Sequence, residues 1–209
     1  MFQETEFPLL ADRACGGCSV CCVHLTIEEP ELMKPQGYRC PHLADAGGCG
    51  IYPSRPHTCR VYHCGWRRLK WVREVLRPDR SQVLVKLRSV GKGAEAVLAV
   101  DFLLLSKAAL KAEGLAESIA AAVHSGVPVF LSIPGPPGYT SASARVDGEL
   151  GAAVAARDKA EVLRILTELH EEGRVGNRAP IQVAKNAAGQ PVIALGKPRR
   201  IGRGRLSRS

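Results

Sequence analysis

The sequence has no cysteine after Cys64 and no acidic residue after Glu172, although the chain runs to 209 residues. It has no stretch of about 18 consecutive apolar residues, so no segment qualifies as a membrane-spanning helix. The first thirty residues carry no basic segment followed by an apolar one. No secretory leader is therefore expected, and the chain is expected in the cytoplasm, where thiols stay reduced. There is no GxGxxG fingerprint, GxxxxGK[ST] phosphate loop, GxSxG elbow, HExxH or radical-type CxxxCxxC arrangement, which leaves the common nucleotide, hydrolase and metalloprotease chemistries without a motif. No internal repeat occurs, and no extended low-complexity tract precedes residue 196.

What the sequence does have is eight cysteines, all between Cys15 and Cys64. In a secreted chain an even number would suggest disulfides. In a reducing compartment, clustered thiols more often bind metal. The surrounding segment is rich in Gly and Pro and poor in periodic apolar runs, so it can bury little apolar surface and needs a staple, which metal would supply.

The spacings are Cys15-x2-Cys18-x2-Cys21-Cys22, then Cys40-x8-Cys49-x9-Cys59-x4-Cys64. A two-residue gap lets both thiolates of a loop converge on one ion while intervening N–H groups turn toward sulfur. Eight thiolates can complete two tetrahedral four-cysteine sites, or one polynuclear centre with thiolates left over. Adjacent Cys21 and Cys22 would point apart in extended chain, so one of them is a candidate for a second ion or a spare thiol. The run Cys15, Cys18, Cys21 with a remote Cys40-Pro41 also echoes three-plus-one ligation of a [4Fe–4S] cluster. Zinc and iron, the latter as an iron–sulfur cluster in one form, both stay open.

The blocks "CGGCSVCC", "CPHL" at 40–43 and "CGIYPSRPHTCRVYHC" at 49–64 resemble the YkgJ-type cysteine-cluster family, described as a putative zinc- or iron-chelating domain with a CxxCxxCC signature. The resemblance covers roughly residues 13–65. It implies Cys15, Cys18, Cys21, Cys22, Cys40, Cys49, Cys59 and Cys64 as the ligand pool, and Arg55, Pro56, Arg60 and Tyr62 match recurrent non-cysteine positions. The family includes flagellin lysine methylases, but nothing else here resembles their longer chain, so methyl transfer is not carried over.

Read physically, Arg55 and Arg60 can offset thiolate charge: eight thiolates with two divalent ions sum to about −8+4 = −4. Pro56 restricts the chain between two ligand-bearing turns. His57 and His63 are expected as neighbours of the site rather than ligands, with His24 and His42 weaker candidates. His63 beside Cys64 superficially offers a base for a nucleophile, but sequence neighbours usually diverge. His124 and His170 fall at predicted helix ends, where capping or surface roles are ordinary.

The expected fold class is α+β. Residues 1–65 read as a small loop-rich metal-binding domain, 66–80 as a connecting helix, 81–195 as an α+β unit and 196–209 as a disordered basic tail. In the connecting segment Trp66, Leu69, Val72 and Leu76 fall near helical spacing, and Pro78 ends the run. Strands at 83–87 and 96–100 flank a Gly91/Gly93 turn. A helix from about Leu115 to His124 stops at Gly126, a buried strand follows at 127–133, and 134–144 reads as a loop. Asp158 opens a helix with Val162, Leu163, Leu166 and Leu169 on one face and Gly173 beyond its end. Residues 181–184 and 191–195 read as a last hairpin.

The leading functional expectation is a metal-binding protein whose zinc or iron is structural or is handed to an acceptor protein. A redox or metal-dependent enzyme is the alternative. Nucleic-acid binding through the tail is a third reading, because residues 174–209 hold nine Lys and Arg and no acid, enough to neutralise several phosphates. The tail has no aromatic for base stacking, and the cysteine spacing is not that of a C2H2 finger.

Overall fold

A computed structural model describes residues 7–201. The chain is α+β, built on one four-stranded sheet in the order β3-β4-β5-β6, formed by Val83–Val90, Val97–Leu104, Val129–Ile133 and Ala142–Arg145. The first pair is an antiparallel hairpin through Gly91, whose φ of +96° suits glycine. β5 runs parallel to β4, and β6 returns antiparallel. The parallel step is bridged by α5 (Leu115–His124), while α6 (Asp147–Ala155) and α7 (Lys159–Gly173) follow β6.

Period-two alternation sends Val83, Val85, Phe102, Leu104, Val129 and Leu131 to one face, where they meet Leu115, Ile119, Leu150, Val162 and Leu166 from the helices. Phe102, Leu104, Leu115, Ile119 and Leu166 are wholly buried. At the start of α7 the Asp158 carboxylate accepts from Glu161 N at 2.9 Å, satisfying one of the free N–H groups of the first turn. Gly173 is the last residue of α7 rather than a residue beyond it. A Cβ there would lie 2.7 Å from Ile133 Cγ1, so its bare backbone lets the helix rest on β5.

Three segments of the chain also depart from the sequence expectation. Residues 66–80 are not one helix: α3 (Gly65–Arg68), a 3-10 turn at Glu74–Leu76 and α4 (Pro78–Ser81) break the segment. The carbonyls a helix would use are taken from elsewhere. Arg13 Nη1 donates to Trp66 O at 2.7 Å and Leu69 O at 3.3 Å, and Trp66 Nε1 donates to Glu74 O at 2.7 Å. The expected apolar residues Trp66, Leu69, Val72 and Leu76 still enter the core of the sheet. Within the expected loop 134–144, the small residues from Ala142 onward instead form the edge strand β6. At the C-terminus, β10 (Arg199–Ile201) pairs antiparallel with β7 (Gly176–Arg178), so those residues of the expected disordered tail are ordered by main-chain bonds; residues 202–209 lie outside the described residues.

The hairpin of β8 (Ile181–Lys185) and β9 (Pro191–Leu195) forms around Asn186, whose side-chain oxygen accepts from Ala188 N and Gln190 N. His170 lies in the last turn of α7, as expected, but its side chain is buried rather than at the surface. Among the described residues no helix is long and apolar enough to cross a membrane.

Candidate metal centre

The cysteine segment lies against the opposite face of the sheet. Val20, on the short helix α1 (Val20–His24), packs on Leu84 and Leu103, with Cys18, Leu25, Cys64 and Leu105 around them. From α1 the chain enters a hairpin of β1 (Ile27–Glu29) and β2 (Leu32–Lys34) and then returns to the end of the helix. Gly37 N donates to Val23 O at 2.8 Å and Cys40 N to Cys22 O at 3.0 Å, so Cys40 is held beside Cys22. Ile27, Leu32 and Cys40 form a second small cluster, joined by Cys22, Leu43 and Cys59.

Each remaining cysteine is delivered by a local device. Leu43 pairs with Cys49 across a tight turn. In that turn Gly47 has φ +86°, and a Cβ on it would sit 2.7 Å from Gly17 O, so the turn can close on the Cys15–Cys18 loop only as glycine. Cys59 rides on α2 (His57–Val61). The Glu29 carboxylate of β1 accepts from Thr58 N at 2.6 Å and also from the Thr58 hydroxyl, capping α2 from the side. Cys64 immediately precedes α3.

All eight cysteines line a single cavity of about 280 Å³, together with Tyr52, Arg55, Pro56, Tyr62, His42 and His63 among others. Each thiol is free of a disulfide; Cys40 is buried and the others are half-buried. His57 and Arg60 are exposed and do not line the cavity. Arg60 donates to Arg55 O at 3.1 Å, and the Arg55 guanidinium lies over the Tyr52 ring at 3.9 Å. His24 ends α1 and also stays out of the wall. Arg55 Nε and the Tyr62 hydroxyl are buried without a hydrogen-bond partner among the described residues.

The side chains share the cavity without being gathered at one point. Among the described residues, no group of three or more His, Cys, Asp or Glu is arranged to hold an ion. Thiolates are drawn together by the ion they bind, since metal-site formation and proton release accompany ion binding. The donor chemistry nevertheless fits soft or borderline metals, because thiolate sulfur selects zinc and iron–sulfur centres over hard cations.

Cys21 and Cys22 sit on a helix rather than in extended chain, so their Cα–Cβ directions diverge by about 100°. The mutual influence of the two neighbouring thiols raises that of Cys21 and lowers that of Cys22. Burial raises Cys18 and Cys59 and pushes Cys64 up to about 11. Burial also drives the Tyr62 hydroxyl well above its ordinary range, with the Cys64, Cys21, Asp101 and Cys15 charges adding to the effect.

The cations around the cavity include several that sequence reasoning missed. Arg67 Nη1 donates to Cys15 Sγ at 3.8 Å, and Arg77 Nη2 donates to Cys15 O at 2.9 Å. Lys34 is 4% exposed. Its sequence signal was the period-two pattern of β2, which puts a lysine on the same inward face as Leu32.

Residues 14–75, less than a third of the chain, match the CxxCxxCC family model, described as a "putative zinc- or iron-chelating domain". No curated protein and no solved structure matches the chain. The matched segment contains every cysteine and ends before the sheet begins, so the likeness belongs to the cysteine-bearing segment: residues 14–75 are similar to a zinc- or iron-chelating cysteine-cluster domain.

Proposed function

We propose that the protein chelates zinc or iron through Cys15, Cys18, Cys21, Cys22, Cys40, Cys49, Cys59 and Cys64, in the cytoplasm, and that the metal is first of all structural. The observation that carries this reading is that all eight thiols line one cavity. They arrive there from five separate stretches of chain, which a metal would join as a cross-link. Val20, Cys18 and Cys64 pack directly on Leu84 and Leu103 of the sheet, so metal bound here fastens the cysteine segment to the rest of the fold. Tyr62 and Arg55 supply buried hydrogen-bond donors at the wall of a cavity whose ligands would be anionic.

Element analysis of anaerobically purified protein, together with its absorption spectrum, tests this function. Zinc without colour, or iron with stoichiometric sulfide, is the expected result, at a level that falls when Cys40 or Cys18 is replaced by serine. Full-length protein that retains neither metal after purification and takes up neither zinc nor iron on reconstitution would refute it.

A further inference from the structure

Among the described residues, no side chain of the β8–β9 hairpin belongs to any of the buried apolar clusters. Ile181 is buried, while Val183 and Leu195 are exposed. A two-stranded hairpin alone is at best marginally stable in water, so this one takes its order from what it rests on. Its ends are pinned, because β7 precedes it and β10, which pairs with β7, follows it. Beyond that base, the contacts that hold its strands lead to the cysteine segment, and β9 packs on β2.

One route runs through β1. Successive side chains of a strand leave on opposite faces, and the adjacent Glu28 and Glu29 use both. Glu28 Oε1 accepts from Ile193 N of β9 at 2.7 Å, whereas Glu29 Oε1 accepts from Thr58 N of α2, the residue before Cys59. Ile27 of the same strand and Leu32 of β2 pack with Cys22, Cys40 and Cys59. A second route runs through residues 36–38. Gly37 N donates to Val23 O of α1, the helix of Cys21 and Cys22. On the other side, Gly138 N donates to Gln36 O at 3.0 Å, and Gln36 Nε2 donates to Tyr139 O and Ser141 Oγ. A Cβ on Gly37, whose φ is +85°, would lie 2.7 Å from Pro137 Cα, so the two backbones touch there. The loop passes the connection on to β8: Ile181 N donates to Gly138 O at 2.6 Å, and Thr140 N to Ala179 O at 2.9 Å.

We infer that docking of the β8–β9 hairpin depends on the metal: the filled centre orders β1, β2 and residues 36–38, these hold the hairpin in place, and emptying the centre releases it. This rests on the metal-chelating function proposed above. The responding element is the hairpin, with a docked and a released state, and the metal is the effector. Neither route passes through the core on the helix side of the sheet, so release is a local opening anchored at β7 and β10. Linkage makes the coupling reciprocal: by whatever factor metal favours docking, docking favours metal by the same factor. The device transmits the state of the cysteine cavity to a surface element whose Val183 and Leu195 face solvent.

The test loads the reduced full-length protein with zinc, or anaerobically with iron, and follows amide exchange before and after a chelator removes the metal. Removal should speed exchange across residues 181–195 about tenfold or more, together with residues 27–38, while β4 and β5 exchange as before. Affinity for the same metal gives the reciprocal reading. Glu28→Ala, at an exposed position, should weaken it about fivefold, and Glu28→Gln, whose amide oxygen can still accept from Ile193 N, should stay close to wild type. Ile193→Pro deletes the same bond from the hairpin side, leaves the cysteine segment untouched and should weaken metal binding equally; the two changes together should do no more than either alone. Exchange at 181–195 that is unmoved by metal removal while residues 27–38 loosen would overturn the coupling. So would Ile193→Pro protein that binds metal as wild type does, or equal acceleration in β4 and β5, which would show the whole chain opening. Wild type that takes up neither zinc nor iron would overturn the proposed function, and the coupling with it.

Discussion

The two faces of the sheet are covered in physically different ways. On the helix side, Phe102, Leu104, Leu115, Ile119, Leu150 and Leu166 are fully buried against one another, and α5, α6 and α7 close over them. On the cysteine side, the clusters comprise Val20, Leu84 and Leu103, and Ile27, Leu32 and Cys40, with short helices, a three-residue hairpin and tight turns between them. The helix side can be held by apolar burial alone, at about 25 cal/mol per Å² removed from water. The cysteine side buries Arg13 and Lys34 among few large side chains. An arrangement of that kind gains its order from cross-links, and its thiols are the groups able to make them. The helix side is therefore expected to be self-sufficient and the cysteine side conditional.

Metal removal should break this symmetry most strongly. Structural zinc contributes roughly 10–16 kcal/mol in small metal-folded domains, as much as the whole stability of a typical domain. Stripping metal under reducing conditions should collapse amide-exchange protection at residues 15–64 while β3, β4 and β5 stay protected. Loss of protection throughout the chain would mean that the sheet is not self-sufficient.

A smaller effect of opposite location is expected from Phe102→Ala. Phe102 is completely buried on β4, and its truncation should cost about 3–5 kcal/mol. Denaturant unfolding should register that loss, while bound metal per chain in native buffer stays unchanged. Leu84→Ala tests the seam between the regions. Leu84 is 1% exposed, lines the cysteine cavity and packs on Val20, so truncation should cost about 2 kcal/mol and also speed metal loss to a chelator. Unchanged release would uncouple the two sides.

These contrasts bear on what could be read from the residues alone. The helices at 115–124 and 159–173 were legible because apolar periodicity and end signals agreed: Gly126 has φ +74° after the first, and Asp158 caps the second. The last hairpin was legible through its Asn186 turn. α6 was missed because Gly148 and Gly151 weaken its helical pattern, although both are free of close contacts in the fold. The broken path at 66–80 was misread because what diverts it is a side chain 53 residues away, the Arg13 guanidinium on Trp66 O. At the site, the eight cysteines that the spacing singled out line one cavity, yet spacing could not say how each is delivered there. That delivery depends on Cys40 N meeting Cys22 O and on Glu29 capping the helix of Cys59, contacts that exist only once the chain has folded.

The smallest expected effect belongs wholly to the helix side and serves as its control. Asp158 accepts from Glu161 N at the start of α7, and replacing an N-cap carboxylate with alanine costs about 1 kcal/mol. Asp158→Ala lies at the start of an element that packs on α5, α6 and β5 and contributes no residue to the cavity lining. It should lower the unfolding midpoint slightly, leave the denaturant slope unchanged and release metal at the wild-type rate. If so modest a change in α7 accelerated metal loss as much as Leu84→Ala does, local packing at the seam could not be what holds the cysteine side. Its order would then depend on the stability of the whole fold, and the distinction between a self-sufficient face and a conditional one would fail.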